Sequence, residues 1–389
     1  MKININENFL RLNEKYLFSE INERVNAFKA SGAGERIISL GIGDVSRPLA
    51  PSVASAMAET SRRMATQEGF KGYGDCCGEL ALREAISSKY AKRGVGLLPS
   101  EIFISDGAKS DLGNINDLLG DNETVICAPV YPVYFDSSVI SGRRIRLLES
   151  NKENGFLPTP KELEKKPYVI YLCSPNNPSG AVLDRDMLRK WVNFALESGS
   201  LIVFDAAYEA YISDPTLPHS IFEIEDAIEC AIEVCSFSKS AGFTGVRCGW
   251  TAIPSQNPLH KLWKRRQSTK FNGASYVSQM GAFAALSPQG EMENFQNIAY
   301  YMENARLLAE FLERKKIFFV GGVNAPYLWF ECPKKMSSWQ FFDYLLEKAQ
   351  VVGTPGVGFG TCGEEFFRFS AFASRKDTLE AVGRIDLLF

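Results

Sequence analysis

The chain has 389 residues, 45% of them hydrophobic and 23% charged, with 43 basic residues against 46 acidic ones and a net charge of −3. That length suits two domains of ordinary soluble composition, and so even a charge balance offers no footprint for nucleic acid or an anionic membrane. No apolar run reaches the roughly 18 residues a membrane span needs, and the stretch from Met1 to Asn8 lacks a signal-peptide core, which reads as cytoplasmic.

Nine cysteines, odd in number and scattered in a long chain, argue against a disulfide framework. Only Cys76 and Cys77 adjoin. With His219 and His260 the only histidines, zinc ligation and a histidine-based triad are both poorly supplied, and no metal is expected.

Residues 1–35 read as a helical arm, with Leu17, Ile21, Val25 and Phe28 near helical spacing. Ile37 to Leu40 is a short apolar strand that runs into Gly41-Ile42-Gly43, where glycine permits close backbone approach to a ligand; a plain turn fits equally well. Phe70-Lys71-Gly72-Tyr73-Gly74 reads as a loop tip, followed by a helix carrying Leu82, Ile86 and Tyr90 on one face. The buried-type strand Ile102–Ser105 leads into Asp106-Gly107-Ala108-Lys109-Ser110, a strand-to-helix turn able to cradle phosphate.

From there strands and helices alternate. Strands are expected at Val125–Cys127, Arg143–Leu148, Tyr168–Cys173, Leu201–Phe204 and Ala231–Cys235, with a helix from Asp184 to Gly199 carrying an apolar stripe of Met187, Leu188, Trp191, Val192 and Ala195. The rhythm is that of an α/β fold: a mostly parallel sheet covered by helices on both faces, whose ligands gather at the carboxyl ends of the strands. After about residue 290 the character changes to a long helix (290–314), strands at 317–320, 327–330 and 366–370, and a helix from Trp339 to Ala349, which reads as a smaller α+β domain. The expected division is 1–45 for the arm and part of the small domain, 46–290 for the large domain and 291–389 for the small one.

Three successive strands deliver polar residues to one edge. Ser174-Pro175-Asn176-Asn177-Pro178-Ser179-Gly180 follows the first, Asp205-Ala206-Ala207-Tyr208 the second, and Ser236-Phe237-Ser238-Lys239 the third, with Arg247 eight residues beyond Lys239. Pyridoxal phosphate chemistry needs these types. A lysine amine joins the aldehyde, a carboxylate keeps the pyridine nitrogen protonated, phenol and amide donors hold the ring's 3-oxygen, and hydroxyls, backbone N–H groups and an arginine hold the phosphate. Taken singly the residues also fit plainer roles: Asp205 a helix cap, Asn177-Pro178 a turn, Arg368 an ion pair, Tyr131 core packing, Cys76 and Cys77 small buried groups. Phe243 and Trp250 read as core.

In this order the set Asn-Pro-x-Gly, Asp-x-x-Tyr, Ser-x-Ser-Lys and Arg resembles the fold-type I pyridoxal-phosphate enzymes of the class I/II aminotransferase superfamily, over nearly the whole chain. The resemblance implies Lys239 as the Schiff-base lysine, Asp205 as partner of the pyridine nitrogen, and Tyr208 and Asn177 at the 3-oxygen. It implies Ser236, Ser238, Arg247, Ala108 and Lys109 at the phosphate, Tyr131 stacked on the ring, Tyr73 reaching the phosphate from a partner subunit, and Arg368 clamping the substrate carboxylate. Tyr16–Ile21, Leu40–Asp44, Ser105–Lys109, Ser174–Pro178 and Phe271–Ser275 are more narrowly similar to the LL-diaminopimelate aminotransferase family. That likeness implies a homodimer in which Tyr16, Gly43, Lys109 and Asn177 meet substrate and Asn272 comes from the partner. It also implies amino transfer between diaminopimelate and a 2-oxo acid such as 2-oxoglutarate, a lysine-pathway step.

The chain departs from that family after Gly72-Tyr73-Gly74. Cys76 stands where the family carries the acid that meets the substrate's distal ammonium, and Asp75 is one residue away. A related enzyme acting on lysine, ornithine or arginine, or one catalysing elimination or cyclisation, is the second reading. A binding protein that keeps the fold without catalysis is the third. A nicotinamide dehydrogenase is weaker, since no Gly-x-Gly-x-x-Gly follows the first strand.

Overall fold

The structure, a computed structural model, describes residues 3–12, 16–32, 36–41 and 43–388. Its centre is a seven-stranded sheet. In chain order the strands are β1 (Ile102–Ser105), β2 (Glu123–Ala128), β3 (Ile145–Glu149), β4 (Tyr168–Cys173), β5 (Leu201–Asp205), β6 (Ala231–Ser236) and β7 (Gly249–Ala252), and in space they run β1-β7-β6-β5-β4-β2-β3. The pairs among β2 to β6 are parallel, while β7 is antiparallel to both neighbours.

Every residue of β4 and β6 is buried. That explains their continuous apolar runs: helices cover both faces, so no alternation is required. One face carries a core with Ile170, Ile202, Phe204, Trp191 and Trp250; the other carries Ile126, Val169, Val203, Ile232 and Trp263. The expected α/β architecture with a mostly parallel sheet is therefore present. β7 is absent from the strands read off the sequence, because its four residues sit directly behind the Lys239–Arg247 segment and include a glycine that weakens strand propensity.

The helix Arg185–Ser198 shows how local chemistry sets an element's ends. The Asp184 carboxylate accepts from the Met187 N–H at 2.7 Å, and Gly199 closes the helix with φ of 68°. Leu188, Trp191, Val192 and Ala195 of the expected stripe are buried, and Met187 is half-buried against the same core.

A second sheet of four antiparallel strands follows the long helix Pro288–Arg314: β8 (Phe319–Gly321), β9 (Tyr327–Glu331), β10 (Thr354–Pro355) and β11 (Phe366–Ser370), in the spatial order β10-β11-β9-β8. It shares an apolar core with the helices Ser338–Ala349 and Arg375–Asp386, and Leu17 and Ile21 of the N-terminal helix join that core. Ile38–Ser39 pairs in parallel with Val351–Val352, which also ties the N-terminal segment to the C-terminal one.

Two sequence-derived boundaries are corrected. The arm is not one helix: a short 3-10 turn, Glu7–Arg11, precedes a helix at Leu17–Ala30, with Leu12 extended between them. No residue of that first turn is buried, so it has no apolar face to hold it in a longer helix. The strands expected at 143–148 and 317–320 begin two residues later, at Ile145 and Phe319: Arg143 turns inward to donate to Asn116, Leu119 and Gly120, and the Ile317 N–H still donates to the Leu312 carbonyl at the end of the preceding helix. Met1, Lys2 and Ile42 of the expected segments lie outside the described residues. Among the described residues no helix is long and apolar enough to cross a membrane.

Candidate active site

A cavity of about 340 Å³ opens where the carboxyl ends of β4, β5 and β6 face the small sheet. Its lining includes Gly43, Ala108, Lys109, Tyr131, Asn177, Asp205, Tyr208, Ser236, Ser238, Lys239, Arg247 and Arg368. Twelve of the sequence-derived candidates thus share one wall system. Tyr16 lies just outside it, its hydroxyl accepting from Lys109 Nζ at 3.5 Å, with the ammonium 5.1 Å from the Tyr16 ring and 5.8 Å from that of Tyr131.

Asp205 ends β5 and is 5% exposed. Its Oδ1 accepts from the Ala207 N–H at 2.9 Å and its Oδ2 from the Tyr134 hydroxyl at 2.5 Å. Burial pushes this carboxyl up from its ordinary value, while the two donors pull it back. Such a carboxylate, held by fixed donors in a dry wall, is equipped to face a cationic ring nitrogen.

Lys239 lies on the short helix Phe237–Ser240 that follows β6. Its Nζ donates to the Gly43 carbonyl. Burial lowers its pKa to about 8, Arg368 and Arg247 push the same way, and Asp44 opposes them. A lysine in this state is partly neutral near physiological pH, as a nucleophilic or proton-transferring amine must be.

The phosphate-type end is built across strands. Ser105 pairs with Gly249 and Gly249 with Ser236, so β1 and β6 end, and β7 begins, in one paired row. Ser236 Oγ accepts from the Ser238 N–H at 3.1 Å, and Arg247 Nη1 donates to Ser238 Oγ at 3.2 Å. Gly107, at φ of 131°, precedes the helix Ala108–Asn114, and a Cβ on it would collide with Arg247 Nη2. The glycine therefore serves two needs: a backbone conformation other residues rarely adopt, and room for the guanidinium. The Ala108 and Lys109 N–H groups belong to the first turn of that helix and have no intrahelical acceptor.

Arg368, on β11, is 1% exposed. Nη1 donates to Asn177 Oδ1 at 2.6 Å, and Nη2 to the Gly41 carbonyl at 2.6 Å and Thr354 Oγ1 at 3.2 Å, while Nε is buried without a partner among the described residues. The guanidinium is thus positioned from three sides before any carboxylate arrives. Because Asn177 accepts from Arg368 through Oδ1, its amide N–H₂ is left to donate elsewhere.

Sequence reasoning missed Tyr134 and Tyr327. Tyr134 is fully buried and stacks on Tyr171 at 5.1 Å, and it lies three residues after Tyr131 in a segment already singled out. Tyr327 comes from β9, far away in sequence, and its hydroxyl is 2.6 Å from that of Tyr208. Glu209, next to Tyr208, was also passed over. It is buried against Lys89, Arg93 (2.8 Å) and His219 (3.3 Å), which hold its carboxyl well below the ordinary range although burial works against the charge.

Tyr73, Cys76 and Asn272 do not line the cavity. Tyr73 is 92% exposed and Asn272 is exposed, and the loop holding Asn272 packs on the Asp75–Cys76 loop, where a Cβ at Gly273 would lie 3.3 Å from the Asp75 carbonyl oxygen. Cys76 is half-buried against the core beneath. Asp75 is engaged there, its Oδ1 accepting from the Cys77 N–H at 2.8 Å and its Oδ2 from Arg83 at 3.3 Å. The Asp75 carboxylate and the Cys76 and Cys77 thiols gather within 4.8 Å of one another, but Arg83 already balances the acid and burial pushes the Cys77 thiol up to about 12.

Residues 35–385 match the family described as "Aminotransferase class I and II". The chain is 50% identical to an LL-diaminopimelate aminotransferase of Parabacteroides distasonis, covering 98% of each chain, and 50% identical to one of Prochlorococcus marinus, covering 98% of this chain and 99% of that one. Among solved structures it is similar to L,L-diaminopimelate aminotransferase from Chlamydomonas reinhardtii, with a TM-score of 0.94 and 43% identity over 100% of this chain and 99% of that one. With lysine, aspartate and two arginines of the required kinds around one cavity, and with likeness over almost the full length, the chain belongs to the class I and II aminotransferases, enzymes that depend on pyridoxal phosphate.

Proposed function

We propose that this aminotransferase moves the amino group between LL-2,6-diaminopimelate and a 2-oxo acid, with 2-oxoglutarate as acceptor, in lysine biosynthesis. The observation that carries the reading is the convergence of Lys239, Asp205, Arg247 and Arg368 on one cavity in a chain that is half identical to curated diaminopimelate aminotransferases. The cavity fits the cofactor: Gly107 clears space for Arg247, Asp205 is a buried carboxylate with its donors in place, and Lys239 is an amine of lowered pKa.

Pyridoxal phosphate, when bound, supplies an aldehyde carbon and an electron-withdrawing ring. Ser236, Ser238, Arg247 and the Ala108 and Lys109 N–H groups would hold its phosphate, Tyr131 would cover the ring, and Tyr208 and Asn177 would donate to the 3-oxygen. Asp205 would keep the ring nitrogen protonated. Arg368 would bind the substrate α-carboxylate and so fix which Cα–H faces Lys239, whose Nζ would take the proton from the donor's Cα in the first half-reaction and deliver one to the Cα of the 2-oxo acid's carbon skeleton in the second. Two half-reactions share the same residues in turn, which makes the kinetics ping-pong. Tyr16 and Gly43 line the substrate end.

The reading includes a cytoplasmic homodimer in which Tyr73, Asn272 and the specificity position Cys76 serve the partner's cavity. The exposure of Tyr73 and Asn272, and the packing of the Asn272 loop on the Asp75–Cys76 loop, support that role. It also includes the division into 1–45, 46–290 and 291–389, supported by the two separate apolar cores.

A second reading keeps the cofactor and changes the amino donor. Its support is Cys76, a neutral thiol, beside an Asp75 already committed to Arg83. Steady-state assays with diaminopimelate, lysine, ornithine and arginine as donors and 2-oxoglutarate as acceptor separate the two. Turnover of diaminopimelate above the other donors supports the first; none with diaminopimelate and efficient turnover of another replaces it with the second.

A further inference from the structure

Tyr327 begins β9, the strand paired with the one that carries Arg368. It is 1% exposed and lines the cavity. Its hydroxyl is 2.6 Å from the Tyr208 hydroxyl, and the Arg368 guanidinium carbon lies 4.4 Å from its ring centroid. On a third side the hydroxyl closes on Gly43, where a Cβ would come within 2.9 Å. One phenol therefore touches a residue at the end of the central sheet, a residue of the small sheet and the segment whose carbonyl accepts from Lys239.

A phenol has one proton to give and lone pairs to receive with. If Tyr208 donates into the cavity, the 2.6 Å contact requires Tyr327 to donate to Tyr208. A cation at the face of the Tyr327 ring draws on its electrons and strengthens that donation. The charged and titratable groups that act on Tyr327 include Arg368, Tyr208, Cys173 and Asp205, and its field in turn reaches Tyr131 and Tyr211. Burial pushes its phenol pKa up, and Arg368 is the foremost influence pulling it down. Pairing Arg368 with a carboxylate spends that pull on the anion.

We propose that Tyr327 is a positioning residue that couples carboxylate occupancy of Arg368 to the hydrogen bond Tyr208 makes with the cofactor's 3-oxygen. The coupling rests on the roles given above to Arg368 and Tyr208. It runs beside the direct Arg368–Asn177 bond and differs from it in passing through a hydroxyl that Tyr327→Phe removes while leaving the ring under Arg368.

The test follows the visible absorbance of the cofactor-loaded chain against pH, with and without saturating succinate, an unreactive dicarboxylate. Wild type, Tyr327→Phe, Tyr208→Phe and the double variant are compared. Succinate is expected to move the wild-type midpoint, and Tyr327→Phe to reduce that movement by about tenfold in proton affinity, about one pH unit. Succinate affinity should change less than about threefold, because the ring that Arg368 packs on remains. In the Tyr208→Phe background, Tyr327→Phe should add nothing. A wild-type response in Tyr327→Phe, or additive effects of the two substitutions, overturns the coupling. Should Tyr327→Phe fail to load cofactor, 3-fluorotyrosine at position 327 keeps the shape and makes a stronger donor. It is expected to shift the midpoint relative to wild type, and no shift overturns the proposal. A wild-type chain that shows no succinate response at all overturns the assigned roles of Arg368 and Tyr208 together with the coupling.

Discussion

The Tyr134 hydroxyl donates to Asp205 Oδ2 at 2.5 Å, in a wall where both residues are buried and the carboxyl's pKa is raised by that burial. The bond favours the ionised carboxylate that a protonated ring nitrogen requires. Tyr134→Phe removes a hydrogen bond to a charged group, on the order of 1.5–3 kcal/mol. The expected result is a loss of about ten- to a hundredfold in kcat together with weaker cofactor binding, measured by steady-state kinetics and by titration of the cofactor-free chain.

Arg368→Lys keeps the charge and loses the fork that Asn177, Gly41 and Thr354 hold in place. Both substrates present a carboxylate to this residue, so KM for the amino acid and for the 2-oxo acid should rise together, by roughly a hundredfold. A rise confined to one of them would mean that Arg368 does not serve both half-reactions.

Gly107→Ala places a methyl group against Arg247 and asks a residue with a side chain to hold φ of 131°. The strain is about 1–3 kcal/mol. Cofactor affinity should fall by more than overall stability does, since Arg247 is displaced from the phosphate end; equilibrium titration and chemical denaturation of the same variant give both numbers.

The lowered pKa of Lys239, about 8 in the cofactor-free chain, sets the pH at which its amine becomes neutral. Below that pH the amine is mostly protonated and cannot attack a carbonyl. Cofactor capture should therefore speed up as pH rises through about 8 and level off above it, as followed by stopped-flow absorbance, and Lys239→Ala should show no such phase.

Asp111, buried in the helix Ala108–Asn114, accepts from Thr251 Oγ1 at 2.7 Å, and burial raises its pKa from 3.8 to about 7. The folded chain then holds a proton that the unfolded chain has released between those two values. Stability contributed by this residue is fully present below about pH 4 and is lost as pH rises through about 7. Asp111→Asn should flatten that dependence and stabilise the chain above pH 7 by on the order of 2–4 kcal/mol, measured by denaturant unfolding across that range.

The cofactor half of this site was legible from sequence because its residues ride on short consecutive motifs at strand ends. Asn177, Asp205, Tyr208, Lys239 and Arg247 each follow an apolar strand, and parallel topology brings such ends together. Tyr327 carried no such signal. It is the first residue of an apolar strand, Tyr-Leu-Trp-Phe, and only the docking of the small sheet against the β5 end turns its hydroxyl into a neighbour of Tyr208. Tyr134 was concealed differently: an apolar helix segment with a tyrosine reads as core, and the acid it bonds is 71 residues away. β7 was missed because four residues after a glycine-rich motif give periodicity too little to work with.

The row Ser105, Gly249, Ser236 has an evolutionary consequence. The groups assigned to the phosphate hang from three strands locked in mutual register, so any insertion there would displace several at once. Arg368 and Tyr327 are held in register too, but in the separate small sheet, where Arg368 pairs with Trp329 and Tyr327 with Ser370. Tyr73, Cys76 and Asn272 lie away from both sheets, on loops outside the cavity. Exchanges such as an acid for Cys76 leave the row untouched. Under the roles proposed above, selection can retune which amino acid is accepted while the catalytic apparatus is inherited intact.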